Sequence, residues 1–110
     1  MGWLGSTIWV FFLLKEVAMM IIHAAELVFS IPGAQSLKDK RQVSRSLIER
    51  AKKRFNAAIA EVGAQDRHQT LILGVAVVSS EASHARDMLE AIIRFMESSP
   101  EAELISVQDA

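Results

Sequence analysis

Between Ile21 and Val107 the apolar residues switch twice from a two-residue period to a helical one and back. Ile21–Ser30 alternates, with Ala25, Leu27 and Phe29 on one face and Ala24, Glu26 and Val28 on the other. Ile31-Pro32-Gly33 breaks that pattern. Ser36 follows, with the acid Asp39 three residues on, the spacing of a capping box that opens a helix. The helix is predicted to run to about Arg54, with Val43, Leu47, Ile48 and Ala51 as its apolar stripe. Asn56–Val62 reads as a second strand and Gly63–Gln69 as its polar turn. Thr70–Val78, rich in β-branched residues, is the third strand. Ala82–Glu97 carries Ala85, Met88, Leu89, Ile92 and Met96 at helical spacing and stops before Pro100. Glu103–Val107 closes the series as a short strand.

The order βαββαβ predicts an α+β, ferredoxin-like sandwich: a four-stranded antiparallel sheet with both helices on one face. A length of 110 residues suits one domain, and 51% hydrophobic with 23% charged residues belongs to a globular chain. The absence of Cys removes disulfides, thiolate metal sites and a Cys nucleophile. That suits a reducing cytosol, and the expected location is cytoplasmic.

Residues 1–18 do not share the pattern. Met1–Leu14 carries no charge and holds Trp3, Trp9, Phe11 and Phe12, four of the seven aromatic residues. Lys15-Glu16 stops this run short of the ~20 apolar residues that a membrane span needs. A signal peptide would carry a basic start, which is missing here. Lys15-Glu16-Val17 can be encoded AAG-GAG-GTN, a bacterial ribosome-binding sequence, at initiation distance from Met19 or Met20. The expectation is an apolar extension at 1–18 upstream of the native start, and a single domain at 19–110. The other reading of these residues is a genuine hydrophobic extension, either an interfacial anchor or a segment packed on the domain.

Ile31-Pro32-Gly33-Ala34-Gln35-Ser36-Leu37-Lys38-Asp39-Lys40-Arg41 resembles the IPGARSLKEKR signature of the YlxP-like family, domain of unknown function 503. Arg54-Phe55-Asn56, Ala60-Glu61-Val62, Gln65-Asp66 and Leu73–Ser79 resemble that family's later motifs in order, so the likeness covers about Met20–Val107. Gly63, Ala64 and His68 depart from it, standing where members often have an acid, His and Trp. The resemblance implies a ferredoxin-like fold, a bacterial source and a gene context of translation initiation and ribosome maturation. It implies no catalytic residues, because the family has no established activity.

Charge is concentrated in one segment. Lys38, Lys40, Arg41, Arg45, Arg50, Lys52, Lys53 and Arg54 are eight of the twelve basic residues, opposed within the segment only by Asp39 and Glu49. The rest of the chain carries four basic and eleven acidic residues. Lys38, Lys40, Arg41, Arg45, Lys52 and Lys53 are the expected contacts to an RNA phosphate backbone, which binds cations without reading bases. The same residues also serve to solvate a helix face, and the three basic residues in its last turn complement the helix dipole. Base stacking of the RNA-recognition-motif kind is disfavoured, because the third strand Leu71–Val78 holds no aromatic residue.

If Ala25, Leu27, Phe29, Ile59, Leu73, Val75 and Val77 face the helices, then Ala24, Glu26, Ala58, Ala60, Gly74 and Ala76 line the opposite sheet face. Small side chains there admit close approach of a second surface, which makes this face the expected site of self-association as a homodimer. Cover by the N-terminal segment would serve as well, and packing limits alone also account for small residues.

Enzyme chemistry finds little footing. His23, His68 and His84 form no metal-ligand spacing, and Gly33 stands alone in the first strand–helix loop. Glu61, Asp66 and His68 are the nearest approach to an acid–base cluster and read equally well as a solvated hairpin end. The expectation is a non-enzymatic protein without metal or cofactor, associated with ribosomal RNA or the ribosome. The alternative is a homo-oligomeric interaction module joined through its sheet.

Overall fold

Four strands and two helices organise residues 20–109, which a computed structural model describes. They are β1 (Ile21–Ser30), α1 (Leu37–Arg54), β2 (Ala58–Gly63), β3 (Thr70–Ser79), α2 (Ala82–Glu97) and β4 (Glu103–Asp109). The expected extension at residues 1–18, and a start at Met19, lie outside the described residues.

Local chemistry sets the start of α1. The Asp39 amide donates to the Ser36 hydroxyl at 3.1 Å, while the Asp39 carboxylate accepts from the Gln35 amide at 3.0 Å. The acid therefore reaches one residue further back than in the standard capping box, so the Asp39 amide of the first turn and the Gln35 amide just before the cap are both satisfied. Such a cap contributes about 1 kcal/mol. At the other end Phe55 turns to extended backbone, with its amide on the Ala51 carbonyl.

The strands pair antiparallel in the order β2-β3-β1-β4, which with the βαββαβ order is the ferredoxin-like α+β fold. β1, the first of the described strands, is central, with β3 on one side and β4 on the other. One face of the sheet makes the core: Ala25, Leu27, Phe29, Ile59, Leu71, Leu73, Val75 and Val77 are buried. Against them α1 sets Leu47 and Ala51, and α2 sets Ala85, Leu89, Ile92 and Met96. Val43, Ile48 and Met88 pack at the margin of the same cluster. Both helical stripes read from the sequence are thus the faces that pack.

Strand ends differ slightly from expectation. β2 begins at Ala58 rather than Asn56, where Ala76 of β3 becomes its partner, and ends at Gly63 after a bulge that inserts Val62. β4 continues past Val107 to Asp109, because Glu26 and Ala25 of β1 pair with Gln108 and Asp109.

Candidate nucleic-acid interface

An exposed stripe of α1 carries most of the unpaired cations among the described residues. Helical spacing of 100° per residue places Lys38, Arg41, Arg45 and Lys52 within one narrow arc, with Lys53 at its border. All five are exposed. Among the described residues none of the five is in an ion pair, although Glu49, exposed between Arg45 and Lys53, lies on the same arc. From Lys38 to Lys52 the arc runs about 21 Å along the helix axis at 1.5 Å per residue.

The other cations of the segment are engaged elsewhere. Arg50 donates to the Ser46 carbonyl at 3.2 Å and to the Ser99 hydroxyl at 3.3 Å, and stands 4.0 Å from Glu101. The Arg54 guanidinium lies 5.2 Å from the Phe95 ring centre and 5.9 Å from that of Phe55. Those two rings meet edge to face at 5.7 Å, joining the end of α1 to α2.

Lys40 corrects the sequence reading. It was expected to touch phosphate, yet it is only 1% exposed. Its ammonium donates to the Ala64 carbonyl at 2.5 Å and the Arg67 carbonyl at 2.8 Å, both in the β2–β3 turn. Glu61 Oε2, from the helix-facing side of β2, stands 2.7 Å away. That oxygen is buried and receives no aligned hydrogen bond, so the carboxylate acts chiefly as counter-charge while the carbonyls take the protons. A buried ammonium without such partners would be costly, and three converging oxygens offset the loss of water.

The caged turn is tightly built. Ala64 holds a positive φ of 52°, an uncommon backbone conformation for a residue with a Cβ. Its carbonyl accepts from the Arg67 amide at 3.1 Å as well as from Lys40. Gln69 ties the same hairpin to the β1–α1 loop, donating to the Ala34 carbonyl at 3.1 Å, while its own carbonyl accepts from the Ile31 amide at 2.9 Å. Glu61 is thus committed to Lys40, and Asp66 and His68 are exposed in the turn. Among the described residues, no group of three or more His, Asp or Glu is placed to hold a metal ion, and no helix is long and apolar enough to cross a membrane.

Helical spacing carries a signal for this cage. Lys40, Ser44, Leu47 and Ala51 are the four buried residues of α1, and they share one face. A lysine in register with Leu47 and Ala51 belongs to the packed side of its helix, whatever its charge suggests.

On the opposite sheet face, cross-strand pairing aligns the six residues read as a contact surface in two rows. Ala24, Ala76 and Ala58 form one row, and Glu26, Gly74 and Ala60 the next. Around them stand Ile22 and Val78, each 57% exposed, and Val62, 52% exposed. Val62 leans over Gly74, where a Cβ would come within 2.9 Å of its Cγ1. Glu26 is the acid within these two rows, and Glu103 of β4, paired with Ser30, lies on the same face toward its edge.

Comparison with known proteins agrees with the resemblance carried by Ile31–Arg41. Residues 22–109 match the family model described as "Protein of unknown function (DUF503)". Over 83 residues the chain is 37% identical to the "Uncharacterized protein YlxP" of Bacillus subtilis (strain 168). That match spans 76% of this chain and 90% of the Bacillus protein.

Proposed function

The chain belongs to the DUF503 family of proteins of unknown function, and on that footing we propose that it is a non-enzymatic, cytoplasmic factor that binds RNA phosphate backbone through α1. The observation that carries this reading is the arc of Lys38, Arg41, Arg45, Lys52 and Lys53, exposed and without ion pairs among the described residues. Cations spaced along one helix face neutralise phosphates and release counterions, a favourable term that needs no base contact. The gene context implied by the sequence resemblance makes ribosomal RNA the first target to examine.

Binding is expected to weaken steeply with salt. Five phosphate contacts correspond to a slope of log K against log salt of roughly −3.5 to −4.5. The triple variant Lys38→Glu, Arg41→Glu, Arg45→Glu should retain the wild-type melting temperature and lose RNA binding at low salt. Filter binding or fluorescence anisotropy from 25 to 200 mM salt checks it; an unchanged affinity in that variant refutes the reading.

A second reading has its own observation. The open sheet face joins Ile22, Ala24, Ala58, Ala60, Val62, Gly74, Ala76 and Val78 around the carboxylate of Glu26, and this surface suits a second copy of the chain. Four strands about 4.8 Å apart, two of ten residues and two of six and seven, present roughly 500 Å² per partner, the low end for a specific interface. The expected dimer is therefore weak. Sedimentation equilibrium of residues 20–110 should show dissociation in the range of tens of micromolar, shifted to monomer by Ala76→Arg, whereas a strict monomer at millimolar concentration rules out this surface.

A further inference from the structure

We propose that the cationic surface is composite, with Arg67 of the β2–β3 turn as a sixth backbone contact, and that its ligand is double-stranded rather than single-stranded RNA. The inference rests on the α1 reading and names the ligand class of that site.

The Lys40 cage carries the first half. Lys40 adjoins Arg41 in sequence, and its ammonium holds the main chain of Arg67 at 2.8 Å. The turn is therefore fixed beside the first half of α1, within one lysine side chain of the helix backbone. Arg67 is exposed there, and Gln69 secures the same turn to the loop that precedes Lys38. Arg67 thus adds an exposed cation on a second element near the start of α1, set off the helix rather than along its arc. A single strand following the α1 arc needs no such lateral cation. A duplex presents two phosphate rows separated by a groove and can engage both.

Aromatic placement carries the second half. Among the described residues the aromatics are Phe29, which is 1% exposed, and Phe55 and Phe95, which are half-buried and pack edge to face on each other under Arg54 at the far end of α1. Single-stranded RNA is held chiefly by splayed bases stacked on exposed aromatic rings, whereas A-form duplexes are recognised by shape and by phosphate and 2′-hydroxyl contacts. The helix that carries the arc, Leu37–Arg54, holds no aromatic side chain of its own, so the arc offers charge and shape rather than stacking. Asp66 stands exposed beside Arg67 and opposes it. Its removal should therefore strengthen binding.

The test compares a 20-base-pair RNA duplex with each of its separated strands, using the full chain at 50 mM salt. The duplex is expected to bind about tenfold more tightly than either strand. Arg67→Glu should weaken duplex binding roughly fivefold and lower the salt slope by about one, while Asp66→Asn tightens it by about twofold. Thermal melts of both variants, expected at the wild-type temperature, exclude an effect through folding. Strands bound as tightly as the duplex, or an Arg67→Glu variant with unchanged affinity and slope, overturn this proposal while leaving the α1 reading intact. Failure of every RNA form to bind removes both.

Discussion

Lys40→Met is expected to lower stability by about 3–4 kcal/mol, a fall in melting temperature of roughly 15–25 °C for a domain of this size. The methionine fills most of the lysine's volume, so the loss is electrostatic. It leaves Glu61 Oε2 buried without its counter-charge and removes the ammonium from the carbonyls of Ala64 and Arg67. The part of Glu61 that reaches water, 22% of its side chain, keeps the expected cost near the lower end for a broken buried pair. Glu61→Gln leaves the buried ammonium with neutral oxygens only and should cost about 3 kcal/mol. Combined with Lys40→Met it should recover part of the loss, because the stranded charge is gone. Urea unfolding followed by circular dichroism measures all three. A Lys40→Met variant within 1 kcal/mol of wild type would show that the cage stabilises little. Loss of RNA binding in a Lys40 variant would accordingly reflect folding, and the exposed arc is the place to test recognition.

Phe29→Ala should cost about 3–5 kcal/mol, comparable to or larger than the Lys40 effect. Phe29 is the largest fully buried side chain in the core. It sits on the central strand, paired with Leu71 of β3 and with Leu104 of β4 next to the bulge in the β1–β4 ladder. Truncation opens a cavity bordered by two neighbouring strands and the helices above, where little can collapse to fill it. Phe29→Leu keeps most of the volume and should cost about 1–1.5 kcal/mol. Val78→Ala, on the open face, should stay within about 0.5 kcal/mol. Equal losses for Phe29→Ala and Val78→Ala would contradict the assignment of the packed face.

Much of this architecture was legible because its determinants are local. The Ser36–Asp39 spacing marks the start of α1, and the stripes of Leu47 and Ala51 and of Ala85, Leu89, Ile92 and Met96 identify the packed faces directly. The alternation in β1 and β3 separates core from open face for the same reason. Strand ends were less legible, since pairing partners decide them. Gln108 and Asp109 carry no strand signal of their own and are extended because β1 runs alongside. The Lys40 cage was hidden for a related reason. Two of its three oxygens are main-chain carbonyls, 24 and 27 residues away in sequence, and carry no side-chain signature. A cluster of like charges invited one interpretation for Lys38, Lys40 and Arg41 together, and only the helical phase of Lys40 sets it apart. Of the six cations read from the sequence as phosphate contacts, all but Lys40 are exposed on α1, because a surface cation on a long helix needs no partner to be placed.

The central position of β1 also governs the order in which the molecule can assemble. Its pairs with β3 close loops of 40 to 58 residues, and those with β4 close loops of 73 to 84. Such closures carry an entropic cost that must be met before the ladder returns any free energy. Among the described strands only β2 and β3 meet across a short turn, and α1 stands next to them in the chain. On a ribosome, therefore, β1 emerges before both of its sheet neighbours and waits for β3 to be made. The α1–β2–β3 segment, which contains Lys40 and every oxygen around it, is complete in the nascent chain before the last helix and strand exist. The cage can thus form on a partial chain and align the β2–β3 hairpin, the template on which β1 then docks.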